Sequence, residues 1–399
     1  MRLAAFFLLC TFSALAQRHP LIVISVDGLD HRYLRDADKL ALKIPNIRKL
    51  MKEGEWAQGV LGVVPTVTWP SHTTLITGVP PRVHGILSNR RPRSESGDYY
   101  WMADMLKTKT LWHATRTQGL KSAAITWPVT VNADIDYNLP EFFRGREGGG
   151  MDLISIWEKA TPGLVEAIEK ADPSFRQQWM DDRTRKIATV YLLKEKRPDL
   201  LLLHFVDLDS TAHKYGPYTK QANDCLELTD TFIGEILAAA PKNAVVALVS
   251  DHGFERVDRE LSVPILDMEL DLKGKVQSYG GLLFAGSEEA ATKIAKSGYA
   301  GRLVPRDELM KLAPEMNRKD IYAAFEPKRN EAWMPAAGAK GINNPPHELG
   351  NHGFWPGLPD YRSVFVLWGP GIPSKKTPEI RMESVATRFA KILGVKIEN

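Results

Sequence analysis

Thiol chemistry has little material in this chain: 399 residues carry 2 cysteines, Cys10 and Cys225. Cys10 lies inside the N-terminal apolar run, so removal of that run leaves Cys225 alone, with no intrachain disulfide to form. Charge of one sign is scarcely in excess either. Lys+Arg 52 against Asp+Glu 48 gives +4, too small a surplus to imply a surface specific for nucleic acid or an acidic membrane. No later apolar run is long enough to span a bilayer, and no internal repeat or low-complexity tract is visible. What remains is ordinary globular composition, 44% hydrophobic and 25% charged, in a chain long enough for one large α/β domain or two smaller ones.

The N-terminus has the pattern of a processing segment. Met1-Arg2 supplies a short positive start, Leu3 to Leu15 is almost wholly apolar, and Ala14-Leu15-Ala16 fits a small-x-small cleavage site. The expectation is a signal peptide over residues 1–16 and an exported protein, periplasmic or extracellular, with no transmembrane anchor after cleavage. Phe7-Leu8-Leu9-Cys10 has no small residue before the cysteine, which argues against a lipid anchor.

Beyond it, short continuous apolar runs recur: Leu21 to Val26, Ser122 to Thr126, Leu200 to Val206, Ala244 to Val249 and Val364 to Leu367. Runs of this length suggest strands buried on both faces of a parallel sheet. Helical patterns lie between them. Pro45 to Lys52 is stopped by Gly54, Arg183 to Lys196 by Pro198, and Thr219 to Ala240 repeats apolar residues at helical spacing. Alternation of this kind predicts an α/β sandwich whose function gathers at the carboxyl ends of the strands. Two regions break the rhythm. Asp136 to Gly150 reads as a polar, mobile loop ending in three glycines, and about 254–351 reads as an insertion packed beside the sheet as a lid or cap.

The chemistry-bearing residues cluster at those strand ends. Asp27 follows the first run; Asp209 and His213 are four apart, on one face of a helical turn; Asp251 and His252 follow another run; His352 precedes the last. Three aspartates and three histidines without thiolate suit zinc better than magnesium or calcium. Six ligands are too many for one tetrahedral ion but suit two, about 4 Å apart, which clamp the attacking and leaving oxygens of a phosphoryl displacement. Thr68, in Thr66-Val67-Thr68-Trp69-Pro70, sits where Pro70 marks a helix start, and free amides there favour an anion. A threonine alcohol needs a metal or a base to become a nucleophile. Asp30 and His31 are expected to face solvent, His72 and His84 to bond backbone near the Thr68 helix, Asp207 to stand behind the ligands, and His347 to lie at the rim.

Asp27, Pro65-Thr66-x-Thr68-Trp69-Pro70-x-His72, Thr77-Gly78, His84-Gly85-Ile86, Asn89, Asp209-x-x-x-His213, Tyr215-Gly216-Pro217, Ser250-Asp251-His252-Gly253 and His352-Gly353 together resemble the nucleotide pyrophosphatase/phosphodiesterase family of the alkaline phosphatase superfamily. The resemblance implies an alkaline-phosphatase-like α/β fold over 17–399, a mostly parallel sheet sandwiched by helices, with the cap-like insertion. It implies a zinc-dependent phosphodiesterase or nucleotide pyrophosphatase with two zinc ions per chain and a small phosphate-ester substrate. One zinc would be held by Asp209, His213 and His352, the other by Asp27, Asp251 and His252 with Thr68, which forms a phosphothreonine intermediate. The Trp69 amide and the Asn89 side chain would hold a non-bridging oxygen. Trp69 and His204 would line the substrate pocket, His204 standing where the family usually has an aromatic. Ser71 and Val129 also depart from the family pattern. The same residues leave open a phosphonate hydrolase such as phosphonoacetate hydrolase, a phosphomonoesterase, or a catalytically silent binding protein of the same fold. Cys-x-Pro-x-Arg is absent, which argues against a sulfatase.

Overall fold

The register of the apolar runs explains the architecture. In the computed structural model, which describes residues 18–143, 153–175, 180–334 and 339–398, they form an eight-stranded sheet. Its strands are β1 (Leu21–Val26), β2 (Glu55–Ala57), β3 (Ser122–Ile125), β4 (Tyr137–Leu139), β5 (Leu200–Phe205), β6 (Val245–Val249), β7 (Phe365–Trp368) and β8 (Lys375–Thr377). They lie in the order β8-β2-β7-β6-β1-β5-β3-β4. The expected signal peptide and the glycine-rich end of the Asp136–Gly150 loop lie outside the described residues.

Side chains alternate across the central strands, as the two-residue period of a strand requires. Ile22, Ile24, Leu201, Leu203, Val246 and Leu248 face one core with helices Pro45–Glu53, Asp182–Tyr191 and Lys220–Ala239. Leu21, Val23, Leu200, Leu202, Val245 and Ala247 face the other, with helices Thr68–Thr77, Leu111–Thr117 and Val385–Leu393. The chain is therefore the α/β fold its sequence predicts, a mostly parallel sheet between helical layers. Local signals set the helix ends: Pro45 starts one helix, Asp181 and Thr219 cap two more through the amides of Thr184 and Ala222, and Gly78 closes the Thr68 helix at φ 77.

One run departs from expectation. The Val364–Leu367 segment, read as another parallel strand, forms β7, antiparallel to both β6 and β2. The reason is where the chain stands when β7 begins. His352 has already brought it to the carboxyl edge of the parallel strands, so it enters the sheet from that edge and runs back.

Between Phe254 and Asn351 the chain builds smaller elements beside the sheet. Val276–Tyr279, Leu282–Ala285 and Ala323–Phe325 make one three-stranded sheet; Glu331–Met334, Arg259–Ser262 and Asn343–Asn344 make another. These carry apolar clusters of their own, around Leu266, Ile294 and Phe325 and around Leu282, Phe284 and Trp355. Glu255–Arg256 pairs antiparallel with Gly350–Asn351, so the ways into and out of this region lie side by side. Gly281 fixes its hairpin tip, since a Cβ there would stand 2.4 Å from the Trp355 amide nitrogen. Among the described residues, no helix is long and apolar enough to cross a membrane.

Ile24, fully buried at the centre of β1, tests how far the sheet core carries stability. Ile24→Ala is expected to lower the unfolding free energy by about 2–5 kcal/mol, read by urea denaturation. A change within error would place the stability elsewhere.

Candidate active site

The strand register gathers the site. Ser25 on β1 stands level with His204 on β5 and Val249 on β6, so Asp27, Val206 and Asp251 leave the sheet together at its carboxyl edge. The helix Asp207–Tyr215 starts there, and its turn brings Asp209 Oδ2 within 3.4 Å of His213 Nε2. The ladder between Glu255–Arg256 and Gly350–Asn351 joins His252 to His352 across a hundred positions of sequence, and their rings stack at 3.7 Å. Gly28, at φ 68, turns its amide onto Asp251 Oδ1 at 3.2 Å.

Each of the three imidazoles turns Nδ1 to a backbone carbonyl: His213 to Gly350 at 3.0 Å, His252 to Gly253 at 3.1 Å and His352 to Thr66 at 3.4 Å. Every Nε2 therefore points inward. His252 Nε2 lies 3.2 Å from Asp27 Oδ1 and 3.1 Å from Asp251 Oδ2, and His352 Nε2 lies 3.7 Å from Asp209 Oδ1. Asp27 Oδ1, Asp209 Oδ1, Asp251 Oδ2 and His252 Nε2 are all buried without a hydrogen-bond partner. Lone pairs converging in this way suit divalent cations. The ligand atoms of Asp209, His213 and His352 fall within 4.8 Å of one another, and so do those of Asp27, Asp209 and His252. Asp209 thus belongs to both groups rather than to one, because it projects from the helix start between Asp27 and His213.

Electrostatics follow from the crowding. Burial raises the Asp251 carboxyl to about 8, aided by Asp27. Burial opposes protonation of His252 and His213, but Asp251 and Asp27 lift the first to about 9, and Asp209 and Glu348 lift the second to about 11. Asp27 goes the other way: burial opposes its ionisation, yet the hydrogen bond from His204 and the positive charge of nearby His252 hold it well below the usual carboxylate range. His352 stays neutral, through burial and then repulsion from His252 and His213. Without a cation, protons occupy the positions that a cation would displace.

Thr68 is the first residue of a ten-residue helix and is 5% exposed. It lines a cleft of about 430 Å³ together with Asp27, Asp209, His213, His352 and Trp69. Asn89 lines the same cleft, and its Oδ1 accepts from the Trp69 amide at 3.0 Å. His72 sits beneath, bonded to the Thr68 carbonyl at 2.9 Å and to Ser25 Oγ at 2.8 Å. His84 bonds Thr74 Oγ1 and accepts from the Ile86 amide. His347 is exposed and pairs with Glu260 at 2.5 Å.

Two expectations are corrected. His204 does not line the cleft. It is 0% exposed, because its position on β5 turns the ring under the sheet edge, where Nε2 meets Asp27 Oδ2 at 3.0 Å. Asp30 is likewise 0% exposed, capping the helix His31–Arg35, paired with Arg32 at 2.7 Å and accepting from the Phe254 amide. His31 bonds the carbonyls of Gln58 and Asp360 rather than facing solvent freely.

Other residues of the site carried no sequence signal. Glu348 reaches His213 Nδ1 at 2.7 Å from a Pro/Asn-rich loop. Glu141, Arg185, Tyr99 and Phe143 line the cleft. Arg185 looked like any helix residue, yet it is 1% exposed and pairs with Asp182 at 2.9 Å. Only the packing of its helix against β5 turns it inward.

A mostly parallel sheet with helices on both faces and a carboxylate–imidazole cluster at its carboxyl edge is the architecture of the alkaline phosphatase superfamily. A sequence model of the type I phosphodiesterase / nucleotide pyrophosphatase family matches residues 21–335. The chain belongs to that family. It is 30% identical over 250 residues to a venom phosphodiesterase of Naja atra, across 60% of this chain and 26% of that protein. It is 25% identical over 322 residues to ectonucleotide pyrophosphatase/phosphodiesterase family member 1 of Homo sapiens, across 78% of this chain and 31% of that protein. The chain thus spans about a quarter to a third of these relatives' length. Among solved structures, murine ectonucleotide pyrophosphatase / phosphodiesterase 5, in an inactive form in complex with AMP, superposes with a TM-score of 0.66 at 17% identity over 96% of each chain. That likeness is one of fold.

Protons held by His252 and His213 to about 9 and about 11 make a prediction. A cation binds only the unprotonated ring, so adding zinc to metal-free protein at pH 7 is expected to release protons, and affinity to fall as pH falls. Titration calorimetry in buffers of different ionisation enthalpy reads the release. Heats independent of the buffer would contradict it.

Proposed function

We propose that this chain hydrolyses phosphodiester or phosphoanhydride bonds of small-molecule substrates, with Thr68 as nucleophile in a site for two divalent cations, zinc by preference. The observation that carries this reading is the convergence of four buried, unpartnered donor atoms, on Asp27, Asp209, Asp251 and His252, beside a threonine at a helix start. Carboxylate oxygen and imidazole nitrogen without thiolate match zinc's preferences. Asp209, His213 and His352 would hold one ion, and Asp27, Asp251 and His252 with Thr68 the other, Asp209 standing between them. When bound, the ions would make the Thr68 hydroxyl easier to deprotonate and offset charge on the departing oxygen.

The chain's own groups supply the rest. The free amides and dipole at the start of the Thr68 helix attract an anionic phosphoryl group. Thr68 Oγ1 attacks phosphorus in line, the bond to the leaving oxygen breaks, and a phosphothreonine forms. Water then cleaves that ester and restores Thr68. The Trp69 N–H, which Asn89 occupies in the free site, would turn to a non-bridging oxygen with the Asn89 amide as second donor. Arg185 is already engaged by Asp182 and by Thr126 Oγ1 at 3.0 Å, which favours a diester over a dianionic monoester.

Trp69, Tyr99 and Phe143 line the cleft, so a planar group such as a nucleobase would find stacking surfaces there although His204 contributes none. The matching family, type I phosphodiesterase / nucleotide pyrophosphatase, supports a nucleotide among the substrates. Residues 17–399 would act as one catalytic domain with 254–351 as a cap. Export to the periplasm or outside the cell rests on the N-terminal pattern, and fits the venom enzymes and ectoenzymes among the relatives.

Bis(p-nitrophenyl) phosphate tests this reading. Chelation is expected to abolish turnover and zinc to restore it, and Thr68→Ala to lower kcat by roughly a thousandfold or more. Metal-independent turnover, or a Thr68→Ala variant matching wild type, would falsify it.

A further inference from the structure

His204 is fully buried beside the centre, and the proposed chemistry gives it no part. Its two ring nitrogens both face acceptors. Nε2 meets Asp27 Oδ2 at 3.0 Å, while Nδ1 meets the Thr126 carbonyl at 3.0 Å and Glu141 Oε2 at 3.3 Å. Both ring nitrogens are thus taken by protein neighbours in a fully buried position, which leaves His204 no edge open to a cation. Its backbone is held too, since Thr126 Oγ1 donates to the His204 carbonyl at 2.8 Å. The ring rests on His72 with centroids 4.2 Å apart. It has nowhere to swing.

The consequence falls on Asp27. Its Oδ2 is taken by His204, while Oδ1 is buried, lacks a hydrogen-bond partner and lies 3.2 Å from His252 Nε2. A free carboxylate rotates about its terminal torsion and offers either oxygen, or both, to a cation. One held by a donor at Oδ2 offers Oδ1 alone, in a fixed plane. We propose that His204 is a positioning residue which, braced by Thr126 and Glu141, fixes Asp27 as a one-oxygen ligand. Glu141 also lines the substrate cleft, so the same three-residue line runs from the cleft wall to the centre. Position 204 is thus a support under the metal site.

The inference rests on the two-cation reading, and its test separates the two. The full chain is purified metal-free, and its affinity for zinc is measured by competition with a chromophoric chelator, alongside thermal unfolding of the metal-free protein. His204→Phe keeps a ring and removes both ring nitrogens. His204→Asn keeps an N–H near the Thr126 side that cannot reach Asp27. His204→Gln places an amide near the former Nε2. The Phe and Asn variants are expected to bind zinc about 10- to 100-fold more weakly, and the Gln variant to recover most of the loss. Metal-free unfolding should not follow that order, as it would if the residue only filled space. If the Phe variant does not fold, the Asn–Gln pair decides alone. Phe or Asn variants with wild-type zinc affinity, or a Gln variant no better than Asn, overturn the proposal. Wild-type protein that binds no zinc overturns the two-cation reading with it.

Discussion

His252 Nε2 lies 3.2 Å from Asp27 Oδ1 and 3.1 Å from Asp251 Oδ2, while its Nδ1 is already committed to the Gly253 carbonyl. Buried carboxylates brought this close repel one another unless positive charge lies between them, and the cost of an uncompensated buried charge is several kcal/mol. Protons held by Asp251 and His252 relieve part of that cost, and rigid support keeps the groups together. Asp27 and Asp251 leave adjacent parallel strands, His252 and His352 are joined by a two-residue ladder, and each Nδ1 is fixed by a main-chain carbonyl. The donor atoms are held in place by the fold itself, so a cation bound there would require little reorganisation.

The small elements between Phe254 and Asn351 serve this arrangement directly. Their entry and exit strands form the ladder that joins His252 to His352, and the same stretch supplies Glu348, which braces His213 from outside. The Gly281 hairpin tip packs on Trp355, just past His352, with no room for a side chain. A region that reads in sequence as an insertion beside the sheet therefore holds one wall of the centre.

Much of the fold was legible because its strands are short, apolar and uninterrupted, and such segments have few alternatives to a buried sheet. The helix boundaries were readable from Pro45, Gly78 and Thr219 for similarly local reasons. The direction of β7 was not. Direction depends on the edge from which the chain enters the sheet, and that is a property of the preceding hundred residues. In the site, five of the six Asp and His candidates were visible because each follows a buried run or shares a helical turn, His352 stood out only through its His-Gly pair, and the structure brings them to one place. Glu141, Arg185 and Glu348 were invisible for the opposite reason: an acid in a loop or an arginine on a helix has no pattern that separates it from the surface.

The sequence by itself determined the class of fold, the family and the kinds of donor atom available, since these follow from local apolar patterning and short motifs. Only the tertiary structure decided which way each donor faces. His204 shows the difference: the same imidazole could have lined a pocket, but the register of β5 against β1 turns it under Asp27 and makes it a support. Orientation is set by neighbours distant in the chain, and a linear string of residues does not encode it locally.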